Sequence, residues 1–254
     1  MLLAIDIGNT NIVAGVFDGE TLKAHWRIGS EKNKTSDEIG VLLLNLLGAS
    51  GMDKKALTGA IACSVVPELN GAVSDGIKKY LGLKLLFVGE DARTPIKIDI
   101  DNPLEAGADR IVNAVAAYTI HRSALIIVDF GTAVTFDYVS PEGVYSGGAI
   151  APGINISAEA LHTRTAKLPK VEAGRPPSVI GRNTVDAIRS GLFWGFVGLV
   201  DEIIERMIRE AGTSPRVIAT GGLARLVAGH SRYVTEPDEF LTLKGLKIIY
   251  EGKR

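Results

Sequence analysis

Cysteine is all but missing from this sequence. Cys63 is the single one among 254 residues, so no internal disulfide can form. It sits in the apolar run Ala60 to Val66, the setting of a small buried hydrophobe rather than of a nucleophile. Excess positive charge is also missing: the formal net charge is −1, which removes the basic footprint that nucleic-acid binding needs. Nor is there an apolar run fit to cross a bilayer, since Ser123 to Val128 is too short and Gly191 to Val200 too rich in glycine. His25, His121, His162 and His230 show no ligand spacing, so no transition metal is expected. The opening Met1-Leu2-Leu3-Ala4-Ile5 lacks the basic start and cleavage site of a signal peptide. Together these absences point to a cytoplasmic protein that binds neither membrane nor nucleic acid. At 46% hydrophobic residues, the chain can bury a large core and is long enough for two domains.

What is present is organised around residues 2–19. Leu2 to Ile7 is an apolar strand, Gly8-Asn9-Thr10-Asn11 a tight polar turn, and Ile12 to Phe17 a second strand closed by Asp18-Gly19. Gly8 lets a ligand approach the backbone, while Asn9, Thr10 and Asn11 add side-chain donors, a composition suited to phosphate. Asp6 repels phosphate unless a cation stands between them, as Mg²⁺ does in nucleotide sites. An ordinary Asn/Gly-rich hairpin has the same composition. The pattern returns, however. Leu125 to Asp129, Phe130-Gly131-Thr132 and Ala133 to Tyr138 repeat it, with Asp129 lying 123 positions after Asp6, close to half the chain. Two polar-tipped hairpins, each opening one half, suggest a duplicated unit that holds a ligand between its copies. A third glycine turn, Thr220-Gly221-Gly222, follows the apolar strand from Val217 and suits the nucleoside end.

The remaining elements fit this frame. Thr21 to Gly29 alternates as a third strand, and Thr35-Ser36-Asp37-Glu38 starts a helix that ends at Gly48. Thr58 to Val66 reads as a strand, Asn70 to Tyr80 as a helix and Lys84 to Val88 as a strand. That order is expected of a ribonuclease-H-like domain, a mixed sheet covered on both faces, with ligands at the C-terminal ends of its strands. A proline-bounded connection over residues 94–103 leads to a helix starting at Pro103, with Gly107-Ala108-Asp109-Arg110 in its first turns. By composition alone Asp109 complements the helix dipole and Arg110 is solvated. The second half adds a strand over Val144 to Ile150, a helix near Ser157 to His162, a basic loop from Thr163 to Pro177 and a long helix from Asn183 or Thr184 to about Glu210. Gly191, Gly195 and Gly198 form a small-residue stripe on that helix, suited to internal packing or to a subunit interface. A strand over Arg216 to Thr220, a helix over Leu223 to Ala228 and an edge region through Leu241 to Tyr250 close the chain. The expected fold is α/β, two duplicated ribonuclease-H-like domains over residues 1–114 and 115–254 with a nucleotide cleft between them.

Asp-x-Gly with a nearby threonine, twice, followed by Thr-Gly-Gly, resembles the actin, sugar-kinase and Hsp70 ATPase superfamily. Four motifs narrow this: Asp6 to Asn11, Gly107 to Arg110, Asp129 to Thr135 and Gly147 to Gly153 are together similar to the type III pantothenate kinases. The resemblance runs from residue 2 to about residue 225. It implies ATP-dependent phosphorylation of pantothenate to 4′-phosphopantothenate, the first step towards coenzyme A. Another small-metabolite kinase of the superfamily is the alternative, or a non-catalytic transcriptional accessory factor with the same fold. The resemblance implies ATP contacts at Asp6, Ile7, Gly8, Asn9, Thr10, Asn11, Ile12, Val13 and Thr132. It likewise implies substrate contacts at Gly107, Ala108, Asp109, Arg110 and Thr184, Mg²⁺ with ATP, and a monovalent cation, K⁺ or NH₄⁺, at Asp129. A homodimer is implied too. One departure is visible: where several relatives carry Lys or Arg just after the first motif, Asn11, Ile12 and Val13 are uncharged. Phosphates then depend more on metal ions and backbone N–H groups.

Phosphoryl transfer needs in-line positioning, charge neutralisation and a base for the attacking hydroxyl. Asp109 is the candidate base, a role typically worth about 10²–10⁴-fold. Arg110 carries the planar fork that grips a carboxylate through two bonds. Pantothenate offers one primary hydroxyl and one carboxylate, so the adjacent pair can serve both ends.

Overall fold

The structure is a computed structural model describing residues 1–235 and 237–252. The chain forms two compact units: the first comprises Met1–Lys97, Asn102–Ala116 and the C-terminal stretch from Leu241, the second Ile98–Asp101 and Ala117–Phe240.

The first unit begins with a meander of three antiparallel strands, β1 (Leu2–Ile7), β2 (Asn11–Asp18) and β3 (Thr21–Gly29). Helix α1 (Ser36–Ala49) follows, its N-terminus closed by a reciprocal cap between Thr35 and Glu38, as the sequence predicts. Strand β4 (Gly59–Ser64), helix α2 (Pro67–Gly76) and strand β5 (Leu85–Phe87) complete a sheet of order β3-β2-β1-β4-β5, in which β4 runs parallel to β1 and β5 to β4. The helix expected to reach Tyr80 instead widens into a π turn over Ile77–Leu81 and stops at the left-handed Gly82. One sheet face packs Leu3, Ile5 and Ile7 against Ile39, Leu43 and Leu47 of α1 and Leu69 and Val73 of α2. β3 buries no residue fully, as the edge position of an alternating strand requires.

Strand β6 (Lys97–Ile98) is too short to show any periodicity and was not foreseen. The helix expected from Pro103 is divided: a 3₁₀ turn covers Pro103–Glu105, Ala106 is extended, and helix α3 runs over Ala108–His121. Proline fixes the first turn but cannot carry it through the extended residue.

The second unit repeats the meander in β7 (Leu125–Phe130), β8 (Ala133–Val139) and β9 (Val144–Pro152). Helices α4 (Ile154–Thr163) and α5 (Thr184–Ala211) follow, then β10 (Arg216–Thr220), parallel to β7, and the short α6 (Ala224–Val227). Its sheet order is β10-β7-β8-β9-β6, and Ile126, Val128, Phe130 and Phe136 pack against Phe193, Phe196, Val197 and Val200 of α5.

The stretch expected as an edge region is helix α7 (Leu241–Glu251), a correction to the sequence reading. It belongs to the first unit, where Leu243 presses on Gly15 of β2 and a Cβ on Gly245 would lie 2.2 Å from the Val112 carbonyl of α3. Lys247, 5% exposed, anchors it by ion pairs to Glu20 at 2.5 Å and Glu251 at 2.7 Å. The second domain expected over 115–254 therefore differs from the observed unit at its C-terminal end.

Candidate active site

In the first unit, Ile7 and Ile12 pair across the base of the hairpin and turn into the core, so only their backbone can face a ligand. Asn9 and Thr10 are exposed at the tip; Asp6, Gly8, Asn11 and Val13 are half-buried. The tip carbonyls are turned inward. Asn11 accepts from the Gly8 N–H at 3.0 Å, Gly8 from the Ser30 hydroxyl at 2.6 Å, and Thr10 from the Ser30 N–H at 3.0 Å. Ser30, the residue after β3, was missed because its contact spans 22 positions of chain. These bonds occupy three carbonyl acceptors of the tip and its Gly8 N–H donor.

Asp6 has Cys63 of β4 as its register partner, and the Cys63 thiol donates to Asp6 Oδ1 at 3.4 Å. Burial pushes the thiol's pKa well above its ordinary value, and the Asp6 and Asp109 carboxylates push it further in the same direction. Cys63 is thus an inert S–H donor. The Asp6 and Asp109 charges both converge on it within one unit.

Asp109 lies in the first turn of α3, where its Oδ1 accepts the Arg110 N–H at 2.8 Å. A Cβ on Gly107 would come within 2.6 Å of that same oxygen, so the residue before the helix must be glycine for the carboxylate to lie there. Ala108 and Arg110 flank it, and all four residues 107–110 are half-buried.

In the second unit the Gly131 N–H donates to the Ala133 carbonyl at 3.0 Å, and the Gly153 N–H to the Thr132 carbonyl at 3.1 Å. Thr132 is exposed. Gly153 fits close beneath the tip: a Cβ there would lie 2.2 Å from the Thr132 oxygen. Asp129 has Thr135 of β8 and Thr220 of β10 as register partners. Gly221, at φ +89°, lies against its carboxylate, and a Cβ there would stand 2.5 Å from Asp129 Oδ1. Thr184 is exposed at the N-terminus of α5, whose cap is the Asn183 side chain accepting the Asp186 N–H at 2.8 Å. The Asp129 carboxylate, with Thr135 and Thr220 as its register partners, offers oxygen ligands that suit a hard cation rather than a transition metal. Among the described residues no three His, Cys, Asp or Glu side chains gather into a metal site.

The repeated strand order and Asp-x-Gly hairpins define the class, the fold of the actin, sugar-kinase and ATPase proteins. An activator of 2-hydroxyisocaproyl-CoA dehydratase from Clostridium difficile, solved with ADPNP, has this fold, with a TM-score of 0.58 at 13% identity over 99% of this chain and 96% of that one. The family model described as type III pantothenate kinase matches residues 2–206. Proteins named type III pantothenate kinase from Pelobacter propionicus and Geobacter sulfurreducens are 54% and 52% identical, each alignment covering 100% of both chains. The chain belongs to the type III pantothenate kinase family.

Proposed function

We propose that this protein transfers the γ-phosphoryl group of ATP to the primary hydroxyl of pantothenate, giving 4′-phosphopantothenate and ADP, the first step of coenzyme A synthesis. The observation that supports the reading is that the Asp6 and Asp109 carboxylates both act on the buried Cys63 thiol within one unit. Asp109 takes the hydroxyl proton as the phosphorus–oxygen bond forms. The Arg110 guanidinium grips the pantothenate carboxylate, Gly107 and Ala108 line the same substrate, and Thr184 meets it from the positive end of α5.

Asp6 to Val13 and Thr132 serve the ATP phosphates, through side chains at Asn9, Thr10, Asn11 and Thr132 and through backbone at Ile7 and Ile12. When bound, Mg²⁺ beside Asp6 and a monovalent cation, K⁺ or NH₄⁺, at Asp129 supply charge neutralisation. The protein acts as a cytoplasmic homodimer. In support, Ile150, Ile156, Leu161, Val179, Ile180 and Val185 are exposed in the second unit, Ile180 by 83%. A Cβ on Gly191, Gly195 or Gly198 of α5 would meet nothing within 4 Å.

The test is a coupled assay of the purified protein with pantothenate, ATP and Mg²⁺, run in Na⁺ and then in K⁺, with the product identified by mass. Formation of 4′-phosphopantothenate, faster in K⁺, is expected. Phosphorylation of a different acid-alcohol with no turnover of pantothenate would overturn the reading.

A further inference from the structure

The Asp129 side of the second unit contains a buried hydrogen-bond chain that the roles above leave unused. Asp129 and Thr135 are paired directly across β7 and β8, so their side chains share one sheet face, with Cβ atoms about 4.5–5.5 Å apart. Asp137, two residues further along β8, lies on that face and is 0% exposed. Its Oδ2 accepts the Thr135 hydroxyl at 3.2 Å, and its Oδ1 accepts the hydroxyl of Tyr145, itself 1% exposed, at 2.7 Å. Both Asp137 oxygens are thus acceptors, and a threonine hydroxyl has a single hydrogen to give. Asp137 therefore fixes where the Thr135 hydrogen points, and what Oγ1 has left to offer its neighbours is lone pairs.

We propose that Thr135 supplies an acceptor oxygen to the cation held at Asp129, with Asp137 and Tyr145 as positioning residues that keep the Thr135 hydrogen turned away. This rests on the reading of Asp129 as the monovalent-cation residue. The other side of Asp129 agrees with it. β10 sets the buried Thr220 opposite Asp129, and Gly221 brings backbone against the carboxylate where no side chain would fit. Uncharged oxygens beside the Asp129 carboxylate make an oxygen-only environment, the ligand chemistry of a hard cation. An amide in place of Asp137 reverses the polarity: its NH₂ donates to Thr135 Oγ1 and releases the hydroxyl hydrogen towards the cation.

The test follows the melting temperature of the full-length protein as KCl is titrated, with ionic strength held by choline chloride, since a ligand that binds only the folded state raises it saturably. Wild type should respond, and Asp129→Asn should not. In Thr135→Val and Asp137→Asn the K⁺ concentration at half-response should rise about tenfold or more, the usual range for a lost ligand-orienting partner. Thr135→Ser, which keeps the hydroxyl, should stay near wild type. Thr135→Val matches threonine in shape, so it decides the matter even where Asp137→Asn fails to fold. A wild-type midpoint in Thr135→Val, with the response abolished in Asp129→Asn, would overturn the role of Thr135 and leave the cation site standing. No K⁺ response in the wild type would instead overturn the cation reading of Asp129, and this inference with it.

Discussion

The two hairpins share one plan and brace it differently. In both, an Asp-x-Gly strand end runs parallel to a second strand, and the residue just after the third strand of the meander turns the tip carbonyls inward. In the first unit that residue is Ser30, acting through a hydroxyl and an N–H; in the second it is Gly153, acting through an N–H and close packing. The tips also differ in length, residues 8–11 against 131–133 between the last paired strand positions. The partners of the aspartates differ as well: Asp6 pairs with a thiol, Asp129 with two threonines. A duplicated scaffold has thus kept its hydrogen-bonded tip carbonyls while its two carboxylates acquired different surroundings, apolar and thiol-lined in one case, threonine-lined in the other. Different surroundings suit different tasks.

This contrast can be broken from either side. The largest loss is expected from Gly221→Ala, which combines left-handed strain with a clash on Asp129 and should cost about 2–4 kcal/mol in denaturant unfolding. Gly153→Ala should follow at about 1–3 kcal/mol, because the added methyl forces the Thr132 backbone to move. Cys63→Ser should change the pH dependence of stability. The folded thiol titrates above its ordinary 9.0, so its contribution is complete below that pH and is lost as pH rises towards the folded value. Wild type should therefore lose up to about 1.4 kcal/mol per pH unit above pH 9 relative to the serine variant, read from paired unfolding curves. Ser30→Ala should cost least, about 1 kcal/mol, since it removes one hydrogen bond and no packing. An equal response of both tips to Ser30→Ala and Gly153→Ala would erase the distinction between hydroxyl and close-packed bracing.

Both hairpins were legible because an apolar strand, an Asp-x-Gly turn and an alternating return strand are local patterns, and the cap at Thr35 and Glu38 is written within four consecutive residues. α7 was not legible. Gly245 interrupts its apolar stripe and Ile248-Ile249-Tyr250 reads as strand, so only packing against β2 and α3 of a unit built from residues far earlier in the chain makes it helical. Of the site, the residue types at 6, 109 and 129 could be read from the sequence. The bracing by Ser30, the thiol link from Cys63 and the Thr135, Asp137 and Tyr145 chain required the strand register, which no local pattern records.

The role of Asp109 is tested most directly by comparing Asp109→Asn with wild type in two measurements on the same preparations, 4′-phosphopantothenate formation and equilibrium ATP binding. With Asp109 as the base, turnover should fall by about 10²–10⁴-fold with ATP affinity nearly unchanged. Turnover close to wild type, or a loss of ATP binding that matches the loss of rate, would contradict it.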